Sequence, residues 1–529
     1  MATWWERWIG AMAPERPPQR KAAKGRHVRR YEAAMSGRLT AGWVAGTTGP
    51  NTEVWNAHIS LRDRSRDLVR NNALATRAIT VLTSALVGDG IRPQPRSGSA
   101  RVDEALSQLW SMLGTEIDAA GRLDVYGLQA QAVRAWLESG EVFQRRRWRR
   151  PDDGLLVPMQ VQMLEADYLA DSSLWIGRDD NERLQYGIEM DAVGRRTAYA
   201  MYRQHPGESN SLTAAGLQYV MVPASEVSHV YRADRPGQLR GVPWLAAVML
   251  DLRDLDDLEH TEIVRQKMQA CLMAVRKTSS LDPVGISDQV EQDDDGRWIE
   301  DMVPGMVAKL PDGEDISFFG PQQFGGFVES VQHYQRIVAV GSQVPYELLT
   351  GDLSNVNYAS IRAGDLEFRR LVSALCRQVV VPHVCQPVWA WFVEAAELSG
   401  MIPQMTPQQR MMAMRPIWHP PRWVAIDREA EIKADILEMQ AGTRTLAQAA
   451  AERGQDWRSL LAQLAEEQDA AAKLGLSLTG FGSKSPSQSV TMPADTTQTP
   501  DVEDDTPADD EQADDVADDA NDAEDEDAA

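Results

Sequence analysis

The stretch Val344-Pro-Tyr-Glu-Leu-Leu-Thr-Gly-Asp-Leu-Ser-Asn-Val-Asn-Tyr-Ala359 is polar and lies between two helical regions of the sequence. Gly and Asn tolerate turn geometries, and short polar side chains make few apolar contacts of their own. The composition therefore predicts a mobile, water-exposed contact loop. An ordinary connection between two helices is the alternative.

Upstream, residues 244–277 contain neither Gly nor Pro and follow the helix-start residues Gly241 and Pro243. At about 1.5 Å per residue, this run predicts a single helical rod on the order of 50 Å long. One buried face is predicted by apolar positions spaced by three and four, namely Leu245, Val248, Leu252, Leu255, Val264, Met268, Cys271 and Val275. The other face is acidic, with Asp251, Asp254, Asp256, Asp257, Glu259 and Glu262 against Arg253. An acidic face of this kind is either a solvated helix surface or a functional wall.

Composition indicates a multidomain globular chain with a charged tail. The 529 residues are 43% hydrophobic and carry a formal net charge of -24. Sixteen acidic residues and no base lie in 501–529, which leaves -8 for residues 1–500. That tail cannot bury enough apolar surface to order itself, so it is predicted to be disordered, either as a solubilising tail or as a lure for a basic partner.

Cysteine usage and hydropathy bound the environment of the chain. Three cysteines without a disulfide-scaffold spacing fit a reducing compartment. The longest apolar stretch, 379–393, is interrupted by Pro382, His383 and Pro387 and is too short to span a bilayer. The sequence therefore predicts a soluble protein with no membrane partner.

Hydropathy periods along the chain predict an α+β domain followed by helices. Helices are predicted over 61–87, 102–113 and 127–138. Strands are predicted over 141–148, 157–164, 185–190, 197–202 and 227–231. After the acidic rod, a loop-rich insert over 278–320 has strand candidates at 306–310 and 316–319, and a helix over 322–343 follows. Further helices are predicted over 358–380, 389–398, 428–439 and 445–474.

Motifs for catalysis are missing from the sequence. The Gly-Lys dipeptide of a Walker loop never occurs, and neither a Gly-x-Ser-x-Gly elbow nor a His-Glu-x-x-His metal helix is present. His383 and Cys385 lie two residues apart, but no second ligand pair has suitable spacing for zinc. The sequence predicts no catalytic residues, no metal site, no cofactor and no enzymatic activity.

The cluster Arg145-Arg-Arg-Trp-Arg-Arg150 is the strong basic patch within the folded region. On a strand, alternate side chains face opposite sides, so Arg145, Arg147 and Arg149 would share one face. Nucleic acid suits such a patch, because Arg pairs with phosphate and Trp148 can stack on a base. Salt bridges to acidic residues of a neighbouring subunit are the alternative, and the acid-rich composition favours them.

Several segments in this order resemble the lambda-type family of portal proteins of tailed bacteriophages. The resemblance covers residues 29–465. The segments that carry it are Leu-Glu-Ala-Asp at 164–167, Tyr-Gly-Ile-Glu-Met-Asp at 186–191, Arg-Pro-Gly-Gln-Leu-Arg-Gly-Val-Pro at 235–243 and Val-Pro-Tyr-Glu-Leu-Leu-Thr-Gly-Asp at 344–352. The long acidic tail departs from the smallest family members, and no role is transferred to it.

The resemblance implies a complete domain plan. It comprises an N-terminal arm over 1–40, a wing over 41–240, a stem helix over 241–277, a clip over 278–320, a second stem helix over 321–343, a tunnel loop over 344–357, a wing helix and connection over 358–424, a crown over 425–480 and a disordered acidic tail over 481–529.

The same resemblance implies roles and partners. It implies a ring, expected to be a dodecamer, at the unique capsid vertex, which serves as the conduit for packaging and ejection of double-stranded DNA. The implied partners are the terminase large subunit, the major capsid protein and head-completion or connector proteins, in the virion and, during assembly, in the host cytoplasm. Residues expected to line the channel are Asp251, Asp254, Asp257 and Glu262. Tunnel-loop residues are expected to be Asp352, Ser354, Asn355, Asn357 and Tyr358.

Two other functions remain open at the level of sequence. The acidic tail suggests a capsid scaffold or assembly chaperone. Asp293, Asp294 and Asp295 could hold magnesium in a subunit that processes nucleic acid.

Overall fold

The computed structural model describes residues 46–170, 184–208, 218–270, 273–277, 290–292, 298–300, 315–319, 326–354, 358–421, 423, 428–453 and 457–475. The helices are α1 (Pro50–Asn71), α2 (Ala73–Val87), α3 (Ala100–Met112), α4 (Val125–Ser139), α5 (Met249–Ala270), α6 (Phe327–Ser342), α7 (Tyr346–Thr350), α8 (Tyr358–Leu375), α9 (Gln386–Leu398), α10 (Pro407–Ala413), α11 (Arg428–Gln440), α12 (Leu446–Glu452) and α13 (Trp457–Lys473). The strands are β1 (Arg92–Gln94), β2 (Glu141–Trp148), β3 (Met159–Glu165), β4 (Leu184–Gln185), β5 (Ile188–Met190), β6 (Arg196–Tyr202), β7 (Tyr219–Pro223), β8 (Val227–Tyr231), β9 (Met273–Lys277), β10 (Val290–Gln292), β11 (Trp298–Glu300), β12 (Asp315–Phe319) and β13 (Ile417–His419). The predicted α+β class is confirmed.

The first helical pair shows how a polar residue divides a periodic segment. The sequence predicts one helix over 61–87, but α1 ends at Asn71 and α2 begins at Ala73. Asn72 has an extended backbone, and its side-chain Oδ1 accepts a hydrogen bond from the backbone amide of Ala75 at 3.0 Å. Its side-chain Nδ2 donates to Asp256 Oδ1 at 2.9 Å. An N-cap of this kind satisfies a helix-start amide, so it favours a new helix over continuation of the old one.

Two antiparallel sheets form the β part of the domain. β2 lies between β3 and β8, and β4, β5, β6 and β7 follow one another in the second sheet. The strand predicted over 185–190 is a tight hairpin, since Tyr186 and Gly187 have φ of 54° and 81° and reverse the chain between β4 and β5. The sequence also misses β7 and the short β1–β13 pair, which joins Gln94 to Ile417.

The predicted 34-residue rod is shorter in the structure. After a single 3-10 turn at Trp244–Ala247, α5 has 22 residues, or about 33 Å, and the chain continues as strand β9. The predicted buried face is confirmed for Leu245, Val248, Leu252 and Leu255, but Val264 is exposed. Met268 and Cys271 are outside the residues whose side chains are described.

Strand pairing explains why the helix ends early. β9 pairs antiparallel with β12, so that Lys277 lies opposite Asp315 and Met273 opposite Phe319. The predicted strand at 316–319 is therefore confirmed, whereas the one at 306–310 lies outside the described residues. β10 and β11 form a second pair in the same insert.

Residues 344–350 do not form the predicted mobile loop. Val344 and Leu349 are buried, and Tyr346–Thr350 is a short helix, α7. Arg77 of α2 donates from Nε to the carbonyl oxygen of Leu348 at 3.0 Å. Apolar anchors at 344 and 349 thus fix this half against the core, and only Gly351–Ser354 of the described part is an open turn.

The predicted helices after this turn are confirmed. α8 continues through a π-helical segment, Cys376–Cys385, into α9, and Pro382 lies within that segment without ending it. Pro lacks the backbone N–H that either kind of helix uses, and irregular helix geometry commonly occurs at proline and at π-helical turns. α11, α12 and α13 form in the region predicted to be helical at the C-terminal end.

Candidate functional site

The acidic face of α5 points away from the core, because apolar residues of the same helix are buried. Leu252 and Leu255 are 0% and 1% exposed, and between and after them Asp254 and Asp257 are exposed. Residues three apart lie next to one another on a helix surface. Within the described part of the chain, neither carboxylate makes an ion pair.

Asp251 lies in a different environment from Asp254 and Asp257. It is partly buried and lines a cleft of about 380 Å³ between α5 and α6, together with His333 and Arg336. His333 and Arg336 are thus the basic residues that line the same cleft.

Glu262 is neutralised within its own helix. Its Oε2 accepts a hydrogen bond from Arg265 Nε at 2.7 Å, and Gln266 donates to its Oε1 at 3.0 Å. These hydrogen bonds, from Arg265 first, lower the pKa of Glu262 to about 2. Of the four predicted lining residues, the structure thus leaves Asp254 and Asp257 as the unpaired exposed pair.

The described part of the polar turn is organised by Asp352. Its Oδ1 accepts hydrogen bonds from the Ser354 hydroxyl at 2.6 Å and from the Ser354 amide at 3.0 Å, which lower the pKa of Asp352. Tyr358 begins α8. Asn355 and Asn357 lie outside the described residues.

The arginine cluster on β2 divides between two faces, as the alternation predicts. Arg146 is 8% exposed, pairs with Glu394 at 2.5 Å and stacks on Trp148, with 4.4 Å from Cζ to the ring centroid. Arg145, Arg147 and Arg149 lie on the opposite face. We call these three residues the arginine ladder.

An apolar groove of about 680 Å³ lies between α6, α7 and α8. Its lining includes Val340, Pro345, Phe368 and Leu371. Val340 is 79% exposed, whereas Val338, two residues earlier and on the opposite side of α6, is fully buried. The groove also contains the charged residues Arg336, Glu347 and Glu367, and exposed apolar surface beside polar residues is typical of sites where proteins dock.

A buried charged network ties the sheet to the segment that leads into α5. Arg240 Nε donates to Glu141 at 2.7 Å, and the amide of Gly241 donates to the same carboxylate at 3.0 Å. His229 Nε2 is 3.0 Å from Glu141 Oε2, and its ring stacks on Phe143. Sequence reasoning missed this network because its members lie up to 100 residues apart.

The pKa values of Glu141 and His229 are both lowered in this network, but for different reasons. Burial alone would raise the pKa of Glu141, but the Arg240 guanidinium and the His229 hydrogen bond outweigh it and hold that pKa well below its usual range. Burial lowers the pKa of His229 to about 4, so the imidazole is neutral at pH 7. Its hydrogen bond to Glu141 then requires the proton on Nε2.

We expect the free energy of unfolding to fall as the pH is lowered from about 6.5 to 4. The unfolded chain binds a proton at His229 near pH 6.5, whereas the folded chain binds it only near pH 4. At about 1.4 kcal/mol per pH unit, His229 contributes a loss of about 3 kcal/mol over this range. Urea unfolding at several pH values measures the slope.

The His229→Gln variant is the control, because other groups such as His383 also titrate with lowered pKa values. Its pH dependence should be weaker than that of the wild type by the His229 contribution. Equal slopes in the two proteins would contradict the assignment.

Among the described residues, one group of side chains could be mistaken for a metal site. Glu165, Asp167 and His205 bring three ligand atoms within 4.8 Å of one another. However, Arg66 donates to both Glu165 and Asp167 at 2.7 Å, and Arg62 pairs with Asp167 at 3.0 Å. Two guanidinium groups already balance the two carboxylates, so the donor set does not suit a cation.

No helix in the described part of the chain is both long and apolar enough to cross a membrane.

Comparisons with known proteins give a consistent family. The model of the family described as phage portal protein, lambda family, matches residues 36–375. The "Probable portal protein" of Halomonas phage phiHAP-1 is 24% identical over 491 residues, which cover 89% of this chain and 92% of that relative. Portal protein B of Escherichia phage lambda is 21% identical over 442 residues, covering 76% of this chain and 82% of the relative.

A solved structure titled "Neck of native GTA particle computed with C12 symmetry" is similar with a TM-score of 0.43 and 15% identity. The match covers 78% of this chain and 96% of that one.

Proposed function

This chain belongs to the lambda family of phage portal proteins, and we propose that copies of it close into a ring, a dodecamer, whose bore is lined by Asp254 and Asp257 of α5. The ring is the conduit through which double-stranded DNA enters and leaves the capsid. Its role is structural rather than catalytic.

The observation that carries the proposal is the exposed acid pair on a helix whose opposite face is buried. A channel that paired Lys or Arg with phosphates would retain DNA, because each neutralised phosphate releases counterions and adds affinity. Carboxylates repeated around a ring create a negative field that keeps a duplex centred and free to slide. Glu262 contributes less to this field because Arg265 of the same helix pairs with it, and Asp251 contributes less because it is partly buried in the cleft between α5 and α6.

The groove between α6, α7 and α8 supports assembly of several copies. The exposed Val340 and the apolar groove lining would be covered by a neighbouring subunit. In this arrangement the clip, which β9 and β12 connect to the two stem helices, meets the terminase during packaging and connector proteins afterwards. The wing faces the major capsid protein.

We expect the double variant Asp254→Lys, Asp257→Lys to assemble rings but to lower the yield of DNA-filled heads by at least about tenfold, since lysines in the bore would bind the duplex. The measurement is DNA per capsid, with negative-stain images of the purified protein to count rings. The charge-matched control is Asp63→Lys, Asp67→Lys, which changes two exposed acids of α1.

Wild-type filling by the α5 variant would refute the lining. Equal loss in the α1 control would indicate a general effect of charge. Images of a protein that never closes into a ring would favour the capsid scaffold, and metal-dependent cleavage of DNA by the purified chain would favour the processing enzyme.

A further inference from the structure

The arginine ladder differs from the other arginines around it in lacking acidic partners. Arg62, Arg66, Arg146, Arg235 and Arg240 all form ion pairs with carboxylates. Within the described residues, none of the three ladder arginines forms an ion pair. Glu226 is the acid whose field reaches Arg145 and Arg147, but it pairs with neither. In a chain with a net charge of -24, this is an unusual place for three unpaired cations.

Two glutamines of the neighbouring strand β3 form hydrogen bonds with the ladder and orient it. Arg147 Nε donates to Gln162 Oε1 at 2.7 Å, and Arg149 Nε donates to Gln160 Oε1 at 2.6 Å. Each glutamine uses the inner donor of a guanidinium and leaves the outer NH₂ groups for another partner. Those outer donors form the planar fork that recognises phosphate or carboxylate through two hydrogen bonds.

Arg145 is the ladder arginine whose side chain has an unsatisfied donor. Arg145 is partly buried, and its Nε is buried without a hydrogen-bond partner in the described part of the chain. Burial first, and then the adjacent charge of Arg147, lowers the pKa of Arg145. Burial and the charge of Arg149 do the same to Arg147. A bound anion would relieve both the desolvation and the mutual repulsion.

The spacing of the ladder suits a repeating anion. Alternate residues on a strand are about 6.7 Å apart, which sets the spacing of Arg145 and Arg147 on β2, and Arg149 follows directly after the strand ends. The charges of one DNA strand recur about every 3.4 Å along the helix axis, and long arginine side chains can adjust to reach separate phosphates. The exposed acids of α5 in another copy of the chain would be a poorer partner for the three arginines. They are only two, Asp254 and Asp257, and they lie about 4.5 Å apart along the helix axis.

We propose that Arg145, Arg147 and Arg149, oriented by Gln160 and Gln162, form a surface that binds the phosphate backbone of double-stranded DNA without reading its sequence. The surface is distinct from the acidic bore. Trp148 lies on the opposite face, stacked with Arg146, so it is not placed to stack on a base of a duplex that the ladder holds. The choice of DNA rather than a protein carboxylate rests on the proposed function.

The test is binding of a fluorescein-labelled 30-base-pair duplex to the purified full-length protein, followed by anisotropy between 50 and 200 mM NaCl. In the variant Arg145→Gln, Arg147→Gln, Arg149→Gln, the affinity at 50 mM should fall at least about tenfold. The slope of log K against log salt should become shallower by about 2 to 3, since each lost phosphate contact removes about 0.9. Replacing the same three residues with lysine should restore most of the slope.

The matched control is Arg101→Gln, Arg122→Gln, Arg195→Gln, which removes the same charge from exposed positions. It should bind the duplex with nearly the wild-type slope. If the triple ladder variant is unstable, Arg149→Gln alone, at the exposed end, should reduce the slope by about 1.

An unchanged affinity and slope in the folded ladder variants would overturn the proposal. Unchanged DNA binding together with loss of rings would also overturn it, and would assign the ladder to carboxylates of a neighbouring subunit. Failure to form rings in the wild type would contradict the channel but not the binding of the duplex to the ladder, so the two proposals can fail separately.

Discussion

Replacing Glu141 with alanine is expected to lower the free energy of unfolding by about 3 to 5 kcal/mol, because it leaves a buried guanidinium without its counter-charge. Arg240 is 3% exposed, and Glu141 accepts hydrogen bonds from both its side chain and the amide of Gly241. Loss of the carboxylate therefore removes the counter-charge of the buried Arg240 and the acceptor of the buried Gly241 amide at the same time. Urea unfolding at fixed protein concentration and pH 7 measures the effect.

Glu53→Ala is the matched control. Glu53 also pairs with an arginine, Arg235, but both side chains are about half exposed. Exposed ion pairs contribute little to stability, so this variant should unfold at nearly the wild-type urea concentration. A Glu141→Ala protein as stable as the control would show that the buried network is not a major source of stability.

Gly241→Ala is expected to destabilise the fold by roughly 3 kcal/mol or more, since the new methyl group has no room. A Cβ at this position would lie 2.0 Å from the carbonyl oxygen of Gly140 and 2.6 Å from its carbonyl carbon. Both contacts are with backbone, so no side-chain rotation relieves them. The entry into α5 would have to move away from the start of β2, which would also strain the hydrogen bond from Gly241 to Glu141.

The control for this change is Gly364→Ala within α8. A Cβ there would meet no atom within 4 Å, and Gly in a helix interior is less favourable than Ala by up to about 1 kcal/mol. Gly364→Ala should therefore stabilise the protein slightly, the opposite sign to Gly241→Ala. Equal stability of the two variants, again by urea unfolding, would contradict the close approach of Gly140 and Gly241.

Features with a local cause could be predicted from the sequence. Alternation of side chains predicted β2 and placed Arg146 opposite Arg145 and Arg147, and helical spacing predicted that Leu252 and Leu255 are buried. The early end of α5 could not be predicted in this way. The absence of Gly and Pro permits a helix but does not require one, and β9 forms because residues 315–319 supply its pairing partner.

The site shows the same division. Charge and spacing predicted Asp254, Asp257 and the arginine cluster as candidate site residues, but could not predict which charges remain unpaired in the fold. Arg265 neutralises Glu262 from one turn away, and Gln160 and Gln162 orient the ladder from another strand. Glu141, His229 and Arg240 are isolated letters in the sequence, and only the pairing of β2 with β8 brings two of them together.

The pairing of β9 with β12 has a consequence for how portals of this family diverge. Because Lys277 and Asp315 are directly opposite each other, the intervening 37 residues depart from and return to a single point. Whatever occupies that excursion can lengthen, shorten or be exchanged without altering the separation of α5 and α6. Members of this portal family could thus differ widely in this insert while the two helices that flank it keep their places.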